Sequence, residues 1–210
     1  MNECSIAGGE ALAELVRTAH GIDAVPFNEA CMWREINDEP LFSPAFCAKR
    51  AQALGVAEET YRDKLNAYFG ALGQLRPDGR VSLWFGEDAF CQMNLLAVSK
   101  HLSDLGYAGK ATLFIVDETN GKILDRAEIS PARFAPLYDK VLVNHVQAAC
   151  DDARMNRGIT LYFDYRDPNG RLAALAKQNG ALGREFRVNL LLSLSAAYGI
   201  TDRMAEELIG

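Results

Sequence analysis

Short apolar segments alternate with longer segments of helical periodicity through the first 129 residues of the chain. The apolar segments stop at glycine or at polar residues, as buried strands do. The pattern predicts strands over residues 3–7, 22–27, 81–85 and 110–116, with a short edge strand over 122–129. Between them it predicts helices over 10–19, 45–54, 57–75 and 87–105.

This alternation predicts an α/β protein with a Rossmann-like, open and mainly parallel sheet of about four strands, flanked by helices. Beyond residue 130 the pattern predicts helices over 131–153, 170–178, 183–197 and 201–208. Segment 159–165 is ambiguous, because its β-branched and aromatic residues favour a strand while its neighbours favour a helix. We therefore expect a Rossmann-like domain over 1–129 and a helical C-terminal region over 130–210 that packs on it.

Local signals mark where several of these elements begin and end. Gly21 and Gly55 are placed to end helices, and Ser43-Pro44 is typical of a helix start. Pro77-Asp78-Gly79 predicts a turn before the third strand. Residues 30–43 show no regular pattern, so the two aromatic residues Trp33 and Phe42 are expected to be exposed unless they cover something.

Composition narrows the functional class. At 210 residues with 49% hydrophobic and 24% charged positions, the chain is long enough for a core and is not disordered. The net charge of −6 disfavours nucleic-acid binding, which requires neutralisation of phosphates. No apolar run approaches the roughly 20 residues that a membrane helix needs. The N-terminal sequence lacks the features of a signal peptide, so we expect a cytoplasmic protein with no membrane contact.

The five cysteines lie far apart, at positions 4, 31, 47, 91 and 150. No pair has the Cys-x-x-Cys spacing, and no histidine lies at ligand spacing from a cysteine, so a zinc knuckle is not expected and no residue is assigned to a metal. In a cytoplasmic protein the cysteines are expected to be reduced and mostly small core residues.

Polar residues are concentrated where the third strand meets its helix. At 3.6 residues per turn, Glu87, Cys91 and Asn94 share one helix face, and Asp88 and Gln92 form an adjacent row. Acidic residues in a first turn can simply complement the helix dipole, worth roughly 0.3–1 kcal/mol each. That effect does not require the polar residues one turn deeper, so these side chains are expected to face a cleft, another polar element or a partner.

Three strand ends contribute to one predicted crevice, because the carboxyl ends of parallel strands lie along the same edge of a sheet. They are Gly8-Gly9, Asn28-Glu29 and Gly86-Glu87-Asp88. Gly8-Gly9 can leave backbone N–H groups free for an anion, or can be only a tight turn; it matches neither the GxGxxG nor the P-loop pattern. We predict that a small polar or phosphorylated ligand binds in this crevice.

Two further readings of these residues stay open. Glu29 with Glu87 or Asp88 could form a carboxylate pair that serves as a general acid or holds a divalent cation, although a solvated acidic edge is the simpler reading. Cys91 could be a nucleophile near a helix N-terminus, but no histidine is near it in sequence and a core cysteine is favoured. Trp84 ends the strand as a core or lid residue. The candidate ligand-binding residues are Gly8, Gly9, Asn28, Glu29, Trp84, Glu87, Asp88, Cys91, Gln92 and Asn94.

The segment Leu83 to Leu96 also carries a resemblance. Its pattern, Trp84-x-x-x-Asp88-x-x-x-Gln92-x-Asn94, together with residues 27–30, 46–50 and 54–55, resembles a bacterial family catalogued as domain of unknown function 1835. Residues 167–172 are similar to the helical segment that follows this domain. The resemblance implies a Rossmann-like domain, and it assigns neither a catalytic residue nor a cofactor.

An alternative class is a protein–protein interaction or regulatory module without catalysis. It would use the acidic first part of the chain and the tail. An exposed apolar patch near Trp33, Phe42 or the helix that contains Leu190 and Leu194 would distinguish it. The last two helices could imitate a helix-turn-helix, but residues 203–209 are acidic where a DNA-reading helix is basic. Packing is the favoured role for that tail.

Overall fold

A five-stranded sheet forms the centre of the computed structural model, which describes residues 3–76, 79–178 and 182–210. The strands are ordered β2-β1-β3-β4-β5, with the first four parallel and β5 antiparallel at the edge. Their bounds are β1 Glu3–Ala7, β2 Val25–Pro26, β3 Arg80–Phe85, β4 Ala111–Val116 and β5 Ile123–Ile129. The predicted α/β, mainly parallel fold is therefore confirmed, with five strands in place of about four because the short β2 and the edge β5 both pair.

Nine α-helices are present in the described part of the chain. In the first part they are α1 Glu10–His20, α2 Pro44–Leu54, α3 Glu58–Gly73 and α4 Ala89–Asp104. The remaining ones are α5 Pro131–Tyr138, α6 Ala153–Arg166, α7 Arg171–Gln178, α8 Arg184–Leu194 and α9 Asp202–Ile209. Among these residues, no helix is both long enough and apolar enough to cross a membrane.

The residues predicted to begin or end helices do so wherever the structure describes them. Gly21 and Gly55 end α1 and α2 in left-handed conformation, with φ of 67° at both. Ser43 caps α2 by accepting a hydrogen bond from the N–H of Phe46 at 3.1 Å. Of the turn predicted at Pro77-Asp78-Gly79, the first two residues lie outside the described part of the chain.

The prediction of one helix over 131–153 is wrong. After α5 the chain widens into a π-turn over Asp139–Val143, and it is irregular until Asp152 caps α6. His145 takes a positive φ of 52°, which a continuing helix does not allow, and its ring contacts Glu35 at 2.8 Å. The pattern missed this break because no glycine or proline marks it.

Segment 159–165 is helical and belongs to α6. The buried residues of α6 recur at helical spacing, and Gly158 lies directly against the Gln92 side chain of α4. Tertiary packing against α4 therefore decides the conformation of a segment whose residue types also suit a strand.

The helices cover the two faces of the sheet unequally. Right-handed crossovers place α1 on one face and α4 on the other. Helices α3 and α4 share a face, since Tyr68 of α3 is hydrogen-bonded to His101 of α4 at 2.9 Å. The C-terminal region docks through α5 and α6, which pack along α4. As a result α4 is buried along most of its length.

The irregular segment 30–43 is packed against the body of the protein. Trp33 is only 8% exposed, and its indole N–H donates to Glu207 of α9 at 2.9 Å. Phe42 lies edge-on to an aromatic group that includes Tyr68 and His101. Both aromatic residues therefore cover neighbouring elements. The sequence had predicted that they would be exposed unless they did so.

Burial in this aromatic group lowers the pKa of His101 from 6.5 to about 4. The unfolded chain therefore binds a proton between these values while the folded chain does not, so stability falls as the pH is lowered from 6.5 to 4. We expect this group to remove up to about 3 kcal/mol of the free energy of unfolding. Urea unfolding across that pH range measures the loss.

The variant that tests this is His101→Gln, which keeps an acceptor for Tyr68 but does not titrate. It should lose less stability than the wild type between pH 6.5 and pH 4. Equal losses in His101→Gln and the wild type would contradict the assignment.

Candidate functional site

The carboxyl ends of β1 and β3 form the switch point of this sheet. The chain leaves β1 through α1 towards β2, and leaves β3 through α4 towards β4 on the opposite side. The two ends are adjacent, since the N–H of Gly8 donates to the carbonyl of Trp84 at 2.9 Å. Open α/β sheets bind ligands in the crevice outside the strands at such a point.

A cleft of about 350 Å³ opens beside this point, above β1 and β2. Its floor is the backbone of Gly8 and Gly9, and Lys64 of α3 lies at its rim. The amide of Asn28 joins the two walls, donating to the Glu10 carboxylate at 3.0 Å and to the Lys64 carbonyl at 3.2 Å. The structure thus brings together four candidates from the sequence: Gly8, Gly9, Asn28 and Glu29.

Both oxygens of the Glu29 carboxylate are bound by protein groups, although the residue lines the cleft. One oxygen accepts from Arg50 Nε and the Ala30 N–H, both at 3.0 Å, and the other accepts from the Tyr61 hydroxyl. Glu29 and Arg50 are both buried. The carboxylate pair of Glu29 with Glu87 or Asp88 is therefore not formed, because a buried carboxylate takes the nearest cation and hydroxyl.

The two amides of α4 bind backbone groups, and neither lines the cleft. Asn94 accepts from the Cys31 N–H at 3.0 Å and donates to the Glu29 carbonyl at 2.7 Å. Gln92 donates to the Gly86 carbonyl at 2.8 Å. These two side chains therefore face another polar element, and not a cleft. The loops after β2 and β3 supply the backbone groups that pair with the two buried amides.

Glu87 points towards the C-terminal region. Its carboxylate accepts from Arg154 Nε at 2.9 Å, and the same guanidinium reaches Asp125 of β5 at 2.6 Å. Glu87 is separated from Cys91 and Asn94, its predicted neighbours on one helix face, because α4 begins only after Asp88.

Trp84 lies away from the cleft. It is buried and stacked on Phe114 with ring centroids 4.0 Å apart. Both rings line a groove of about 780 Å³ on the sheet face that carries Ser5 and Ser82. Its predicted role as a core residue fits this position, whereas a direct role in the crevice does not.

A compact cluster forms at the other side of the switch point. Asp88 caps α4 by accepting the Cys91 N–H at 2.9 Å, and the Cys91 thiol donates to Glu118 Oε1 at 3.4 Å. Ligand-type atoms of these three residues all lie within 4.8 Å of one another. Asp88 and Cys91 are buried, while Glu118 has part of its side chain at the surface.

The electrostatics of this cluster are unusual. Burial, followed by a hydrogen bond to Asp88 and its charge, raises the pKa of Glu118 to about 8. Burial, followed by the charges of Asp88 and Glu118, raises the pKa of the Cys91 thiol well above its usual value. Two carboxyl groups share a hydrogen bond only when one of them holds a proton. Without a bound cation, the favoured state of the cluster is therefore one in which a carboxyl group holds a proton.

Sequence reasoning missed two members of this site. Glu118 follows β4, a parallel neighbour of β3, and it was not among the candidate residues. Gly199, from the turn before α9, lies so close to Asp88 Oδ1 that a Cβ atom would overlap it. The rule that functional residues follow the carboxyl ends of parallel strands (the strand-end rule) could have found Glu118. No local signal could have found Gly199.

No family model, curated protein or solved structure matches this chain.

Arg50→Ala should destabilise the protein by about 3–5 kcal/mol, because it leaves Glu29 as an unpaired buried charge. The neighbouring Lys49→Ala is a matched control. It removes an exposed pair with Glu39, which is worth no more than about 1 kcal/mol. Urea denaturation of both variants measures the difference, and a cost for Arg50→Ala as small as that of the control would show that the pair does not stabilise the fold.

Proposed function

We propose that this is a cytoplasmic protein of the family catalogued as domain of unknown function 1835, and that it binds a small phosphorylated or otherwise anionic ligand in the cleft over Gly8 and Gly9. The observation that carries the proposal is an uncapped helix N-terminus that opens into a cleft at the switch point of the sheet.

Gly9 is the N-cap residue of helix α1, and no side chain caps this helix start. By α-helix geometry the N–H groups of residues 10–12 have no partner inside the helix. These groups and the positive end of the helix dipole favour an anion at this position. Ser43, Asp88, Asp152 and Thr201 do cap the starts of α2, α4, α6 and α9.

Gly9 suits a backbone that contacts a ligand. Its φ of 121° strongly favours glycine, and no atom lies within 4 Å of the position that a Cβ atom would occupy. The space over Gly9 is therefore open. A side chain at this position would both strain the backbone and project into that space.

The charges that line the cleft are balanced once Glu29 is paired with Arg50. The Glu10 carboxylate remains and accepts the Asn28 amide, and Lys64 is exposed at the rim with no ion pair to the described residues. One ammonium beside the N–H groups at the start of α1 suits a single phosphate better than a long polyanion, which the net charge of −6 would repel.

The size of the cleft is consistent with a small molecule. Ligand pockets typically span roughly 300–1,000 Å³, and this cleft is about 350 Å³. Sugar phosphates and mononucleotides are therefore the classes to test first.

A protein–protein module is the second candidate, and one observation favours it. Phe186, Leu190 and Leu194 recur every four residues along α8, and Phe186 and Leu194 are 59% and 53% exposed. Such a stripe is typical of a contact surface. Sedimentation of the wild type and of Phe186→Ser tests it: self-association that the substitution abolishes would support this function, and a monomer at high concentration would count against self-association.

The ligand proposal is tested by thermal unfolding with inorganic phosphate, sugar phosphates and nucleotides, in the presence of a chelator. A ligand at 100 times its dissociation constant adds about 2.7 kcal/mol, which at this chain length raises Tm by roughly 5–10 °C. Gly9→Ala should abolish the rise, and Lys64→Ala should reduce it.

The matched controls are Gly70→Ala and Lys140→Ala. Gly70 lies inside α3 with nothing within 4 Å of its Cβ position, and Lys140 is exposed away from the cleft. Both controls should keep the full rise. The proposal fails if the panel leaves Tm unchanged, or if the rise persists in both cleft variants.

A further inference from the structure

We propose that Asp88, Cys91 and Glu118 form a binding site for a divalent transition-metal ion with zinc-like preferences. The site lies on the β3–β4 side of the switch point and is distinct from the anion cleft. Its donors come from two strand ends that are far apart in sequence and adjacent in the sheet.

The spacing of the donors fits tetrahedral coordination. With Zn–S near 2.3 Å and Zn–O near 2.0 Å, a thiolate and a carboxylate oxygen on one zinc ion lie about 3.5 Å apart. Cys91 Sγ and Glu118 Oε1 are 3.4 Å apart, and all three donor atoms lie within 4.8 Å of one another. Only small side-chain adjustments are needed to bring the third donor to bonding distance.

The buried Asp88 carboxylate supplies an independent indication of a ligand. Asp88 is 6% exposed, and its Oδ2 has no hydrogen-bond donor among the described residues. A buried acceptor left without a partner costs about 1–3 kcal/mol, and more if it is charged. Its only carboxyl neighbour in the cluster, Glu118, can serve as donor only when protonated. A metal ion satisfies both carboxylates at once.

Three glycines form the walls of the site. A Cβ atom at Gly8 would lie 3.3 Å from Cys91 Sγ, and one at Gly86 or Gly199 would overlap the Glu118 or Asp88 carboxyl group. Backbone without a side chain therefore packs directly against all three donor side chains.

The donor set selects the type of metal. A thiolate favours zinc and related ions, whereas calcium and magnesium prefer oxygen ligands alone. Three protein donors would leave one tetrahedral position open. Cys91 would lose its proton on binding the metal, and the charge of the cation would offset those of Asp88 and Glu118. Cysteine spacing did not predict this site because its oxygen donor Glu118 follows a different strand.

The test uses the full-length chain, stripped with chelator and free of phosphate, titrated with Co²⁺. Binding should produce a thiolate-to-cobalt charge-transfer band in the near ultraviolet and tetrahedral bands in the visible region. Zn²⁺ should displace the Co²⁺ and raise Tm. Cys91→Ser should abolish the charge-transfer band, and Glu118→Gln should weaken Co²⁺ binding by at least about tenfold.

Cys150→Ser and Glu128→Gln are the matched controls, because they change a partly exposed thiol and an exposed carboxylate elsewhere in the chain. Both should leave the titration unchanged. Circular dichroism checks that each variant is folded; Glu118 is at the surface, so its variant remains informative if Cys91→Ser does not fold.

The proposal is overturned if the wild type shows no charge-transfer band, if the band persists in folded Cys91→Ser, or if Glu118→Gln binds Co²⁺ as tightly as the wild type. The anion experiment is run with chelator and this one without phosphate. The anion proposal and the metal proposal can therefore fail independently of each other.

Discussion

The buried guanidinium of Arg50 is the interaction on which the rest of this structure depends. It neutralises Glu29 and donates to the carbonyls of Ala30, Trp33 and Glu35, in a segment that has no helix or strand to satisfy them. Because unsatisfied buried carbonyls are costly, the segment can be buried only with this donor in place. One wall of the cleft and the surface on which α9 docks both follow from that packing.

Local signals in the sequence predicted the fold well, and long-range contacts account for what they missed. The strand–helix alternation and the caps at Ser43, Gly21 and Gly55 depend on residues close in sequence, so they could be predicted. The end of helical structure after residue 143 could not be predicted, because it depends on a contact between His145 and Glu35, which are far apart in sequence. Segment 159–165 became helical through packing on α4, which no propensity encodes.

The candidate site was predicted in part, for the same reason. The strand-end rule placed Gly8, Gly9 and Asn28 at the cleft, since the positions of parallel strand ends follow from topology. It could not show that the C-terminal region would bury α4 and turn Gln92 and Asn94 towards backbone groups. It also could not show that Arg50, a charged residue in the middle of a helix, would be buried against Glu29. Side-chain direction depends on what packs above a residue, and the sequence pattern does not report that.

The contact between Gly199 and Asp88 has a consequence for how this chain can diverge. The turn before α9 passes so close to the start of α4 that only glycine fits, and Gly199 also holds a φ of 66°. The C-terminal helices are therefore not an interchangeable attachment to the α/β part. A tail recombined from another protein would have to bring a glycine in the same left-handed turn, or else displace Asp88. One contact at Gly199 therefore limits which C-terminal regions are compatible with this α/β part, although each region contains its own run of regular elements.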